Sequence, residues 1–233
     1  MSESREGVYL FCVAPSGARA PGPALAGYGG EPIQAISLSP LVLWIQPLRT
    51  PPPRTADSVL THHRVVEEAW RTASALAPMR FGQWFRDREA LAEALEPRLE
   101  ALAAGLERVR GAGEHAVRIA EAERAPTGAA AEAPEADTPG RAHMEALARR
   151  ERRWLERAAR GRELAEDLAA RLGALVRDQR VEPLREGGMV SVAHLVERTA
   201  EEAYADAVDR FAAERRSLRV VRGGPWPPYS FVS

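Results

Sequence analysis

Five histidines and one cysteine hold most of the chemistry open to this chain. His62 and His63 precede Glu67, and His63 and Glu67 stand one helical turn apart, as two metal ligands can. No third ligand follows at useful spacing and no HExxH pattern occurs, so the pair reads as a helix face and not as a metal site. His115 and His194 fall in separate apolar segments and read as structural. Cys12 lies inside the run Val8-Tyr9-Leu10-Phe11-Cys12-Val13-Ala14, the setting of a buried, inert thiol. There is no nucleophile elbow, no Walker A loop and no GxGxxG. Gly27-Tyr28-Gly29-Gly30 reads as a loop, because no helix start follows it. The carboxylates sit beside arginines on helix faces, as in Glu67-Glu68 and Glu201-Glu202, which is the pattern of solvated ion pairs. The expectation is therefore no catalytic residue, no cofactor, no metal and no enzyme.

Charge sharpens this. The chain has 32 basic and 33 acidic side chains, so a general polyanion-binding role is not indicated. Every basic residue is arginine. Seven of them crowd residues 149–162 against Glu151 and Glu156. That stretch could face an acidic partner or nucleic acid. Acidic residues resume at Glu163, Glu166 and Asp167, so it reads as the solvated side of a helix, and no nucleic-acid partner is expected. Hydrophobic residues make up 45% of the chain, enough for a core. The first residues do not form a signal peptide, and no apolar run approaches the length of a membrane span. A lone cysteine allows no intrachain disulfide, and a reducing cytoplasm fits best.

The elements that would position these residues are legible from period. Residues 8–14 read as a buried strand, and a Gly/Pro-rich loop follows. Residues 33–38 and 41–48 read as two strands around Ser39-Pro40. Over residues 55–75, Val59, His62, Val66, Ala69, Trp70 and Ala73 mark an amphipathic helix, capped by Thr55 or Asp57 and ended by Pro78. Residues 79–82 read as a short strand or extended turn. Asp87 caps a helix with the stripe Leu91, Leu95, Leu99, Leu102, Leu106 and Val109, kinked or restarted at Pro97. His115, Val117 and Ile119 then alternate with Ala116 and Arg118 in a strand.

Residues 121–140 are rich in Ala, Glu and Pro and lack a periodic face, the pattern of a flexible linker or surface insertion. Over 141–177, Met144, Leu147, Trp154, Ala158, Ala165, Leu168, Leu172 and Leu175 mark a long helix with a coiled-coil-like stripe, interrupted at Glu151 and Gly161. Such a helix projects or packs on another long helix. Residues 181–184 and 189–196 read as strands. Thr199 and Glu202 form a capping box opening a helix to Arg216, with Tyr204, Val208 and Phe211 inside. Residues 218–222 are a last strand. The fold class is α+β. Residues 1–120 form a ferredoxin-like domain, 121–140 the linker, 141–222 a second α+β domain with the long helix, and 223–233 a tail.

That tail carries Pro225, Pro227 and Pro228 with Trp226, Tyr229 and Phe231. Termini are usually polar and frayed. One this stiff and apolar is built to dock, and each aromatic could bury about 150–250 Å². Trp226, Tyr229 and Phe231 are the candidate contacts. The expected receptor is the chain's own domains rather than a partner, with Trp226→Ala destabilising the fold.

Four segments together resemble the gas vesicle protein GvpL/GvpF family. Thr61-His62-His63-Arg64-Val65-Val66-Glu67 is similar to its first-helix wording. Leu76-Ala77-Pro78-Met79-Arg80-Phe81-Gly82 is similar to its LPLRFG segment. Gly140-Arg141-Ala142-His143 is similar to the GRAY or GRDY that opens its long helix. Gly224-Pro225-Trp226-Pro227-Pro228-Tyr229-Ser230-Phe231-Val232 is similar to its terminal GPWPPYSF. The resemblance implies a modified ferredoxin-like N-terminal domain and a C-terminal α+β domain with a helical arm. It also implies a non-enzymatic minor component of cytoplasmic gas vesicles. Its implied partners are the hydrophobic shell protein GvpA, whose aggregation it would limit while assisting vesicle nucleation, and other gas vesicle accessory proteins. The competing reading is a ferredoxin-like small-molecule sensor or enzyme without a recognisable motif.

Overall fold

The structure, a computed structural model, describes residues 6–18, 22, 25–122, 139–184 and 188–232. The expected linker at 121–140 lies mostly outside the described residues. The chain divides into two compact units: Met1–Glu114 with Pro225–Ser233, and His115–Gly224.

The first unit is built on β1 (Val8–Pro15), the apolar run that holds Cys12. Its first seven residues are buried, as a strand covered on both faces must be. β2 (Gln34–Leu38) and β3 (Leu41–Pro47) form the expected hairpin, with a cis Ser39–Pro40 bond in the turn. β3 pairs antiparallel with β1, and the register shifts between Leu10 and Cys12. This bulge breaks the two-residue alternation. Tyr9, Phe11, Cys12 and Ala14 consequently share one core cluster with Val65, Val66, Ala69 and Trp70 of α1 (Ala56–Thr72).

Thr55 caps α1, its Oγ1 accepting from Ser58 N at 3.3 Å. The helix ends at Thr72, before the expected stop at Pro78, because Ala73 is already extended. Pro78 instead belongs to β4 (Ala77–Pro78), which pairs with β1. Val59, expected inside, is exposed, and Val65 takes the inner face. Residues 79–82 are turn and irregular chain, and β5 (Trp84–Phe85) pairs with the start of β1. Asp87 caps α2 (Arg88–Leu95), accepting from Ala90 N at 2.8 Å. Pro97 sits in a 3-10 turn before α3 (Leu99–Val109), so the stripe restarts there. The sheet order is β2-β3-β1-β4.

The chain passes into the second unit within β6 (Ala112–Glu121), whose burial alternates as expected. α4 (Pro139–Leu172) is the long helix, about 50 Å at 1.5 Å per residue. β7 (Asp178–Pro183) pairs antiparallel with β8 (Val190–Glu197) and begins three residues earlier than its apolar content suggests, with Gln179 opposite His194. The capping box at Thr199 and Glu202 does not form. Arg198–Ala200 is a 3-10 turn, and α5 (Glu201–Glu214) starts without a side-chain cap. β9 runs Leu218–Trp226, beyond the expected end at Arg222, so the first tail residues continue the strand. The sheet order is β7-β8-β6-β9. Val117, Ile119, Val190, Val192 and Val196 from the sheet meet Leu168 and Leu172 of α4 and Tyr204, Val208 and Phe211 of α5. The backbone of α4 comes very near β8 at Gly161, where a Cβ would stand 2.9 Å from Met189 O. The gap in the apolar stripe at Gly161 is thus a point of close approach.

Candidate functional site

The tail candidates sit in the first unit. The chain returns to that unit at Pro225, after Gly224 with φ +104°, a conformation glycine supplies without strain. Pro227, Pro228, Phe231 and Val232 are buried, and Tyr229 is half-buried against the core cluster of Tyr9, Phe11 and Cys12. Trp226 stays 41% exposed, while Phe231 is 0% exposed.

Polar contacts fix the register of this segment. Ser230 N donates to Glu114 Oε2 at 2.8 Å and Ser230 Oγ donates to Glu114 Oε1 at 2.7 Å. Arg108 Nη1 donates to Phe231 O at 3.2 Å. A Cβ on Gly105 would stand 3.2 Å from Val232 O, so α3 presents a bare backbone where the tail crosses. Sequence reasoning found the tail and missed Glu114 and Arg108, which look like any surface ion on a helix or strand. Gly105 was the one legible signal, since a glycine inside a helix marks close packing.

His62 is buried beneath the same core. Gly82 N donates to Tyr9 Oη at 3.0 Å, Tyr9 Oη donates to His62 Nδ1 at 2.9 Å, and His62 Nε2 donates to Met79 O at 2.9 Å. The carbonyl can only accept, which fixes the neutral tautomer. Burial lowers His62 to about 4, below the ordinary imidazole value. His62 is therefore a structural hub. Among the described residues no group of three or more His, Cys, Asp or Glu is placed to hold a metal ion. Burial raises the Cys12 thiol well above its usual value, which leaves it protonated and unreactive.

In the second unit the structure brings together His115 and His194, which sequence reading kept apart. They lie on neighbouring strands, β6 and β8, against Tyr204 of α5. Tyr204 Oη is 2.8 Å from His194 Nδ1, and the His115 ring centroid is 4.8 Å from that of Tyr204. Both ring nitrogens of His115 and Nε2 of His194 are buried without a hydrogen-bond partner among the described residues. Burial lowers both to about 4, helped by Arg222 beside His115 and by His115 beside His194. Tyr204 is the polar partner of this pair among the described contacts, on His194.

The remaining sequence feature is the basic stretch of α4. From Ala158 onward the helix buries Ala158, Ala165, Leu168 and Leu172. Before Ala158, Met144 is 65%, Leu147 46% and Leu155 50% exposed, while Trp154 is half-buried. Among the described residues, no helix is long and apolar enough to cross a membrane.

Comparison with known sequences places this chain of two α+β units among gas vesicle proteins. The chain belongs to the family described as gas vesicle synthesis protein GvpL/GvpF, whose pattern matches residues 7–233. Gas vesicle protein F2 of Halobacterium salinarum is 28% identical over 199 residues, 84% of this chain and 76% of that protein. Gas vesicle protein F1 of the same organism is 25% identical over 78% of this chain and 72% of that protein. The crystal structure of GvpF from Anabaena sp. PCC7120 superposes with a TM-score of 0.75 at 18% identity, over 98% of this chain and 96% of that one. GvpF from Microcystis aeruginosa gives 0.74 at 17% identity, over 97% and 99%. At these identities the structures speak for the fold.

Proposed function

We propose that this protein is a minor component and assembly factor of gas vesicles, acting in the cytoplasm and at the vesicle. It binds the hydrophobic shell protein GvpA, limits its aggregation and assists nucleation of the vesicle, alongside other gas vesicle accessory proteins. It does so by contact, without catalysis. The observation that carries this reading is the end-to-end family match over residues 7–233, which takes in both units and the tail.

The geometry supports it in two ways. Among the described residues, β2 in one sheet and β7 in the other stand at an edge, and a sheet edge can accept a further strand. Burial holds the histidines His62, His115 and His194 neutral, as suits side chains that fill cores. An assembly factor of this kind would cover apolar shell-protein surface until polymerisation replaces it.

The test is to purify the chain with GvpA and follow shell-protein aggregation by light scattering. The expected results are a stable complex on size exclusion and slower aggregation at stoichiometric amounts. A chain that neither co-elutes with GvpA nor slows its aggregation overturns the reading.

A further inference from the structure

β7 turns one side to β8 and, among the described residues, the other side outward. Leu184 N donates to Met189 O at 3.1 Å, and the register continues from Pro183 opposite Val190 to Asp178 opposite Leu195. In an antiparallel pair, successive residues alternate between bonding across the ladder and pointing away from it. Leu184, Glu182 and Arg180 thus give their backbone groups to β8, while Gln179, Val181 and Pro183 point theirs outward. Gln179 N donates to Asp178 Oδ1 at 2.7 Å, and Gln179 O accepts from Arg180 Nη1 at 3.1 Å, so both groups are covered by neighbouring side chains. Proline has no N–H to donate. Val181 therefore presents both an N–H and a C=O on the open edge.

Side chains say which strand fits there. Arg180, Val181 and Glu182 are all exposed, in a strand otherwise half-buried. Arg180 pairs with Asp178 at 3.1 Å, whereas Glu182 has no ion-pair partner among the described residues. Charges on an edge normally keep other strands away. This order, positive, apolar, negative, is its own complement when reversed. Set antiparallel about Val181, each Arg180 stands opposite Glu182 of the other copy, and the two valines meet at the axis. Opposite charges directly across a ladder attract. The same register brings the outward N–H and C=O of Val181 onto their counterparts. A register centred on Gln179 would first have to displace Asp178 and Arg180 from its backbone. One centred on Arg180 would set arginine against arginine, with backbone groups turned inward.

We propose that β7 pairs with β7 of a second copy of this chain, antiparallel about Val181, so that two four-stranded sheets join into one across a two-fold axis. A single strand edge falls short of the roughly 1,000 Å² of a stable interface, so the dimer is weak and reversible. The β2 edge stays open to GvpA, so this inference and the proposed function can fail separately.

Sedimentation equilibrium of the full-length protein, from about 10 µM to about 1 mM, spans the range of weak contacts and should show a reversible monomer–dimer equilibrium. Val181→Pro removes only an outward N–H, a change that edge strands tolerate, and should leave the chain monomeric. Arg180→Glu alone and Glu182→Arg alone set like charges opposite each other and should each weaken the dimer about tenfold or more. The double exchange, Arg180→Glu with Glu182→Arg, should restore it. So should a one-to-one mixture of the two single variants, since a copy with two acidic residues then meets a copy with two basic ones. Circular dichroism melts check that the variants stay folded; if the proline variant melts early, the charge exchanges at exposed side chains carry the test. A parent that stays monomeric throughout overturns the proposal. So does a dimer that ignores the single exchanges, or one that neither the double exchange nor the mixture restores. A monomeric parent whose GvpA binding is lost in Val181→Pro gives the edge to the shell protein, and the proposal falls. A parent that dimerises as described but does not bind GvpA counts against the proposed function alone.

Discussion

Phe231 and His115 show how single residues decide stability here. Phe231 is fully buried at the end of the tail, whereas Trp226 is 41% exposed. The anchor of the tail is therefore Phe231. Phe231→Ala is expected to destabilise the first unit by about 3–5 kcal/mol, the usual range for a buried aromatic. Trp226→Ala should cost about 1 kcal/mol or less, because an exposed ring has less to lose. Urea unfolding of the two variants separates them, and an equal loss would show that burial is not what holds the tail. His115 makes a different prediction. Its folded-state value of about 4 lies below the ordinary 6.5, so as pH falls the unfolded chain takes up the proton first. Stability is complete above about pH 6.5 and is lost as pH falls towards 4, by up to about 1.4 kcal/mol per pH unit for each such histidine. His194 and His62 act in the same direction. Neither His115 nitrogen has a partner among the described residues, so His115→Phe removes a buried polar ring without orphaning a neighbour. It should leave stability at pH 7.5 within about 1 kcal/mol and flatten the decline between pH 6.5 and 4. A variant that loses stability at pH 7.5 would show that His115 has a role this geometry lacks, and one that keeps the parent's acid slope would show that His115 is not a source of the decline.

Elements were legible where their signal is local. The run of β1, the stripes of α1 and α3, the break at Pro97 and the alternation of β6 all follow from spacing within one segment. What was not legible depends on partners elsewhere in the chain. The bulge that puts Phe11 and Cys12 on one face is set by the register with β3. The capping box at Thr199 gives way to a 3-10 turn. β9 passes Arg222 because it remains the last strand of the second sheet as far as Trp226. The sites divide in the same way. The tail announces itself by composition, while its receptor, Glu114 and Arg108, carries no mark. His115 and His194 become a pair only because β6 lies beside β8. Gly161 is the instructive case, since a flaw in the seam is where α4 touches β8. Gly161→Ala would push a methyl to 2.9 Å from Met189 O, a backbone atom that cannot rotate away. The expected loss is about 1–3 kcal/mol from overpacking, despite alanine's better helix propensity. A thermal melt decides: a higher midpoint would mean that α4 stands further from β8 than this.

At the scale of the whole molecule, the first unit is completed by residues distant in sequence. Its sequence runs to Glu114, and then waits for Pro225–Ser233 across the entire second unit. Val232 against Gly105, Ser230 on Glu114 and Phe231 O under Arg108 are all contacts of that returning segment. A cut at Gly224 therefore removes residues next to the second unit in sequence and weakens the first. Hydrogen exchange on a chain ending at Gly224 can read this directly. Amides of β1 and α3 should lose protection at least tenfold relative to the full chain, while those of β8 and α5 keep theirs. Uniform loss would mean that the two units unfold as one, and no loss would mean that the tail merely rests on a unit already complete. The family pattern extends to the last residue, as expected if the tail is part of the first unit's fold.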